Sequence, residues 1–262
     1  MACPEQGESR EEAELCGQSS PYATSSTTAG NHLKATPSAR EDSSLQAAMS
    51  FVSLPVEEAG TCGDLVHLIL GGCSALRCAD AVSAEQAPAL ASALASPAAA
   101  ALEVLILSSN ELGPEGIDVL SAALPRCQGL RHLDVSWNSL GPSGGEAIAQ
   151  ALPSMSLLQL DLSSNQLEAE GAKALAEALT MPEATITALD LSWNAIGEEG
   201  GIAIARMLPL NRRLRRLNLA INEMKAASGR AFCDALARGH PSLEELDLDG
   251  NDIPEDDMPR LP

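Results

Sequence analysis

One pattern recurs along the chain: leucine-type residues alternating with polar ones, closed by a turn residue. It reads LVHLILGGC, LEVLILSSN, LRHLDVSWN, LLQLDLSSN, ITALDLSWN, LRRLNLAIN and LEELDLDGN, each fitting LxxLxLxxN. The closing residues are Cys73, Asn110, Asn138, Asn165, Asn194, Asn222 and Asn251, at spacings of 37, 28, 27, 29, 28 and 29. Repetition at such a pitch marks a stack of similar small units. Within each unit, period-two alternation predicts a short strand with its leucines on one face and polar side chains on the other. The Asn predicts the turn off the strand, its amide bonding backbone groups of the neighbouring turn.

A second pattern follows each strand. Small clusters (LGPEG, LGPSG, LEAEG, IGEEG) precede apolar pairs at i, i+4: Leu120/Leu124, Ile148/Leu152, Leu175/Leu179, Ile204/Leu208 and Phe232/Leu236. That spacing predicts helices. Pro114 and Pro142 fall at first-turn positions, where a helix tolerates proline, and Pro125, Pro153 and Pro209 end three of the stripes. No such unit buries its apolar face alone, so neighbours must stack. Parallel strands stack ~4.8 Å apart but helices need ~8–10 Å, so the stack bends with its strands inside.

These LDLSxN strands, GxEG-type helix starts and alternating 28/29-residue steps resemble the ribonuclease-inhibitor class of leucine-rich repeats. The resemblance covers roughly residues 62–253. It implies an α/β right-handed solenoid of about seven units, a horseshoe with parallel strands on the concave face and helices on the convex face. It also implies protein binding rather than catalysis. The class includes activating proteins of the Ran GTPase and the sensor arms of NOD-like receptors. Regulation of a small GTPase, or a piece of a longer sensor, therefore stand beside a plain interaction module. The Ran-activating members carry a strongly acidic tail, of which only a PEDD patch is present here.

The ends depart from the repeat. Residues 1–44 are rich in Ser, Thr, Ala, Gly, Glu and Pro and read as a disordered tail. Residues 45–61 begin with LQAAMSFVSL, a candidate amphipathic helix capping the stack. The first interval of 37 implies about nine extra residues, most of them an insertion around SALRCAD. The last strand motif is followed only by DIPEDDMPRLP, so residues 254–262 are an acidic tail or minimal cap, with Ile253, Met258 and Leu261 available to fold over the open end.

On this register the fifth place of each unit faces inward and holds Ile69, Ile106, Asp134, Asp161, Asp190, Asn218 and Asp247. Three consecutive aspartates then lie one strand apart, with no base in their column. Like charges so placed cost roughly 0.2–1 kcal/mol each. Attraction of a basic partner is one reason to carry that cost. Bonding of each Asp to Ser136, Ser163 or Ser192 is the other, and both stay open. Trp137 and Trp193, the only tryptophans, take the eighth place of units two apart and share one rim; exposed tryptophan favours an interface. The candidate partner-binding residues are therefore Asp134, Trp137, Asp161, Asp190, Trp193 and Asp247.

The run NRRLRRLNL gathers Arg212, Arg213, Arg215 and Arg216, but Arg215 and Arg216 align with Glu244 and Glu245 of the next unit, which predicts cross-strand pairs. His67 and His132 share the third-place column with Val104 between them, ~10 Å apart by strand spacing, too far for one metal. DLDGNDIPEDDM lacks the glycine and the closing acid of a calcium loop. No phosphate-binding loop and no nucleophile–base pair is present, so neither a catalytic site nor a cofactor is expected.

Charge narrows the partners. The net charge is −20, of which −4 falls on residues 1–50 (3 basic, 7 acidic) and −16 on the rest (13 basic, 29 acidic). That field repels nucleic acid and anionic membrane and favours a protein with a basic surface. Aromatic content is only 2%, so leucine and alanine must fill the core. Seven scattered cysteines and no signal-like or membrane-length apolar stretch point to the cytoplasm, with the nucleus as a second possibility.

Overall fold

The computed structural model describes residues 55–239 and 242–259. The tail over residues 1–44 and the helix expected over LQAAMSFVSL lie outside the described residues, as does Leu261. Eight short strands form one sheet in chain order: β1 (Glu57–Glu58), β2 (Ala75–Arg77), β3 (Val104–Ile106), β4 (His132–Asp134), β5 (Gln159–Asp161), β6 (Ala188–Asp190), β7 (Arg216–Asn218) and β8 (Glu245–Asp247). Every neighbouring pair is parallel. Between them run α1 (Cys62–Leu70), α2 (Ala87–Leu94), α3 (Gly113–Ala123), α4 (Gly141–Ala151), α5 (Glu168–Leu179), α6 (Gly197–Met207) and α7 (Ala226–Ala237). This is the α/β solenoid of parallel strands backed by helices.

Leu105, Leu133, Leu160, Leu189 and Leu217 stand side by side across the sheet. They are buried with Leu120, Ile148, Leu175, Ile204 and Phe232 of the helices in one continuous core. Small residues let the helices approach: a Cβ added at Gly145 of α4 would lie 2.9 Å from Cα of Gly171 in α5. Pro114 and Pro142 fall in the first turns of α3 and α4, and Pro125 and Pro153 in short 3-10 turns that follow those helices.

The asparagines form a ladder. Each Asn backbone N–H from Asn138 to Asn222 donates to Oδ1 of the next unit's Asn at 2.9–3.0 Å. Each Nδ2 donates to carbonyls of its own turn and of the preceding unit; that of Asn165 reaches Val135, Leu162 and Ser163. Asn138, Asn165, Asn194 and Asn222 are fully buried. Buried backbone groups at these turns are thereby answered by a neighbouring unit, so the turns cannot form in isolation.

The start of the stack differs from the sequence reading. LVHLILGGC is not a strand: it lies in α1 and the turn after it. Its buried residues Cys62, Leu65 and Ile69 follow a helical period, while Leu70 is about half exposed at 52%. Thr61 caps this helix, its Oγ1 accepting the Asp64 N–H at 3.1 Å and donating to Asp64 Oδ2 at 2.8 Å. Gly72, with φ +80°, turns the chain away after it. The supposed insertion SALRCAD is β2 itself, with Leu76 paired to Leu105. Cys73, Leu76, Cys78 and Ala81 therefore fill the LxxLxLxxN frame, and the step from Ala81 to Asn110 is 29 residues (110 − 81). The interval of 37 came from a misplaced first register, and no insertion projects from the rim.

Ala81 has no side-chain amide to give the ladder. Asn110 bonds this unit as each later Asn bonds the unit before it, its Oδ1 accepting the N–H groups of both Ala81 and Val82 at 2.8 Å and its Nδ2 donating to the Cys78 carbonyl at 2.8 Å. At the other end a 3-10 turn, Glu255–Asp257, packs on α7. Ile253 is buried, Met258 lies against the core, and Arg230 pairs with Asp257 at 3.1 Å. Arg215 pairs with Glu244 at 2.7 Å, the cross-strand contact that the register predicts.

Candidate binding face and rim

The polar sides of the strands line the face away from the helices. Its fifth-place column runs Arg77, Ile106, Asp134, Asp161, Asp190, Asn218, Asp247. Ile69 leaves the column because it belongs to α1, and Arg77 takes that place. A base therefore does stand in the aspartate column, with Ile106 between it and Asp134. His67 likewise lies in α1 and not beside His132, whose neighbours along the third-place column are Val104 and Gln159. His132 is half-buried with no hydrogen-bond partner for Nδ1 among the described residues, and burial pushes its pKa down.

This face has two characters. At the amino-terminal end Ala75, Val104 and Ile106 form a small buried apolar cluster with Val56 against it. From β4 to β6 its fifth-place column is acidic. Asp134, Asp161 and Asp190 are direct register partners on adjacent strands. Each Oδ1 accepts the backbone N–H (2.9 Å) and the hydroxyl (2.7 Å) of the serine two residues on: Ser136, Ser163 and Ser192. Asn218 makes the same turn, accepting the Ala220 N–H at 3.0 Å, and donates from Nδ2 to Asp190 Oδ2 at 2.8 Å. Asp247 accepts the Asp249 N–H at 2.9 Å and is separated from the other three by Asn218.

Burial raises the pKa of all three central carboxyls. Asp161 is raised furthest, since the charges of Asp134 and Asp190 on either side add to its burial. The serine bonds pull the other way in each case. One oxygen of each carboxylate is thus committed to the local turn. Among the described residues no group of three or more His, Cys, Asp or Glu is placed to hold a metal ion.

Trp137 and Trp193 project from the rim where strands lead into helices. They are 55% and 58% exposed, and Ser164 lies between them in the same row. The row is Asp80, Ser109, Trp137, Ser164, Trp193, Ile221 and Gly250, all left-handed, the six non-glycine members with φ between 56° and 59°. Left-handed backbone costs an L-residue about 1–2 kcal/mol, and bulky side chains seldom adopt it. The two tryptophans bear that cost and expose large apolar surface as well. By strand spacing they stand ~10 Å apart. Asp80 belongs to this row, and the misread first unit hid it from sequence inspection; the frame CSALRCADA was the signal that places it.

The described cysteines Cys62, Cys73, Cys78, Cys127 and Cys233 are all free thiols. Burial pushes Cys127 up to about 11. No helix among the described residues is long and apolar enough to cross a membrane.

Comparison with known proteins names the family. A profile of the family described as Leucine Rich repeat matches residues 101–121, 126–149, 154–176, 184–205 and 239–253. NACHT, LRR and PYD domains-containing protein 4E of Mus musculus is 32% identical over 150 residues, 56% of this chain and 15% of that protein. The Mus musculus ribonuclease inhibitor is 33% identical over 149 residues, 56% of this chain and 33% of that protein. Among solved structures, leiomodin-1 actin-binding site 2 aligns with a TM-score of 0.40 at 20% identity, over 48% of this chain and 72% of that one. The chain is a leucine-rich-repeat protein of the ribonuclease-inhibitor type. It matches a third or less of the length of these two mouse relatives.

Proposed function

We propose that this chain is an intracellular protein-interaction module without catalytic activity of its own. It binds a partner with a basic surface across the strand face and the tryptophan rim between β4 and β8. The observation that carries the reading is the pair Trp137 and Trp193. The only two tryptophans of the chain share one row, each more than half exposed, each in a left-handed turn that its side chain disfavours. The left-handed turn is common to every unit of the row, but only these two units place a large, exposed aromatic side chain on it, and aromatic anchors of this kind dominate interface energetics. Asp134, Asp161, Asp190 and Asp247 supply charge that steers a basic surface toward those anchors. Free thiols at all five described cysteines favour a reducing compartment, the cytoplasm first and the nucleus second.

The test is quantitative affinity capture with the parent protein, the double variant Trp137→Asn/Trp193→Asn, and the triple variant Asp134→Asn/Asp161→Asn/Asp190→Asn. Asparagine tolerates the left-handed turn, so the tryptophan variant should melt no lower than the parent. It should lose the parent's specific partner, since anchors of this type are worth ~2 kcal/mol or more each. The aspartate variant should capture more weakly and with less salt dependence, with no loss of stability. Undiminished capture by the tryptophan variant would refute the reading.

A further inference from the structure

Beside Trp137 the rim opens into a shallow, solvent-open groove of about 530 Å³. Asp80, Ser83, Gln86, Ser109, Glu111 and Trp137 line it. We propose that this groove seats an arginine side chain of the partner protein, its guanidinium between Trp137 and the carboxylates of Asp80 and Glu111. The inference rests on the reading of the rim as an interface and names the chemistry of one of its subsites.

The groove has one aromatic wall, two carboxylates and no basic residue in its lining, so its charge is uncompensated from within. Both acids are exposed, and among the described residues neither carboxylate is engaged in an ion pair or a side-chain hydrogen bond. They are therefore unlike Asp134, Asp161 and Asp190, which are spent partly on their own turns.

The frame of the groove is also fixed in advance. Asn110 ties down the Ala81 and Val82 N–H groups, Gln86 Oε1 accepts the Ser83 N–H at 2.9 Å, and Ser83 bridges to Glu111 in parallel register. Trp137 and Asp80 are both held in left-handed turns of the same row. An indole face with carboxylates beside it suits guanidinium, which stacks on aromatics through its plane and bonds carboxylates through its edge. An ammonium presents no plane to stack.

The two tryptophans make the site directly readable. In Trp193→Phe, Trp137 is the sole tryptophan and its fluorescence reports on the groove. Titration of that full-length variant with a capped arginine-containing peptide should change the emission saturably. The lysine analogue should bind at least several-fold more weakly. Adding Asp80→Asn and Glu111→Gln should weaken the response about tenfold or more. Removing the same charge from the exposed helix surfaces, by Asp118→Asn and Glu146→Gln, should leave it unchanged. The reciprocal variant Trp137→Phe, which reports from Trp193, should show no saturable change.

Equal losses from the helix-surface pair would reduce the effect to general charge and overturn the groove. So would equal affinity for the lysine peptide, or no response at all. The partner-capture assay is independent of the peptide. Capture that survives Asp80→Asn/Glu111→Gln but fails in the double tryptophan variant removes the groove and leaves the interface standing. A peptide response without any tryptophan-dependent capture does the reverse.

Discussion

The middle of the stack and its amino-terminal end solve one problem with different residues. From β4 to β6 each strand packs branched aliphatic side chains against the helices and is followed by a buried asparagine that bonds both its own turn and its neighbours. At β2 the same frame is filled by Cys73, Leu76, Cys78 and Ala81, and the chain before it supplies the short helix α1. The faces differ too: an apolar cluster around Ala75, Val104 and Ile106 at one end, a row of half-buried to buried carboxylates further on. Strand position in a solenoid is therefore not a property of one unit's consensus. A weak unit is held in register because the next one completes its hydrogen bonds.

The largest effect that tests this contrast should come from the ladder. Asn165→Ala removes three donated bonds and the acceptor for the Asn138 and Leu140 N–H groups. Unanswered buried groups cost ~1–3 kcal/mol each, so urea denaturation should show a loss of about 3 kcal/mol or more. Ala81→Asn restores the consensus but should change stability by less than ~0.5 kcal/mol, since the Ala81 and Val82 N–H groups are already answered by Asn110. A large gain from Ala81→Asn would mean that the first unit is poorly held, against the comparison.

A smaller effect concerns α1. Thr61→Ala deletes its cap and should cost about 1 kcal/mol. Hydrogen exchange should quicken in α1 with little change in α4 to α6. Uniform quickening would show that the amino-terminal end does not open separately.

The smallest effect carries a sign. Asp161 in the folded protein titrates well above its ordinary value of 3.8, because burial and the flanking Asp134 and Asp190 disfavour its charge. The folded state therefore holds that proton more tightly than the unfolded chain does. Stability from this group rises as pH falls from neutrality through the raised value, and levels off below 3.8. Asp161→Asn should stabilise the protein by ~0.2–1 kcal/mol at pH 7, because Asn218 demonstrates that asparagine holds the same turn. The advantage should vanish toward pH 3.8; an advantage unchanged with pH would remove charge as its cause.

How much of the site was legible follows the same division. The aspartate column from Asp134 to Asp247 and the rim pair Trp137 and Trp193 were placed correctly, because Leu and Asn mark the register on both sides of them. Arg77 and Asp80 were missed. LVHLILGGC satisfies the strand consensus by spacing alone, although Thr61 and Asp64, both just ahead of it, form the cap that starts a helix there.

The sequence by itself determined the pitch, the strand–helix alternation over residues 102–253, and the row in which the two tryptophans fall, because each of these is written in local periodicity. Tertiary structure alone decided where the stack begins and which residue completes the acidic column. CSALRCADA becomes a strand only through its pairing with Leu105 and the amide of Asn110, a residue 29 positions after the alanine it supports (110 − 81). That bond lies between units, so no window confined to one unit contains it.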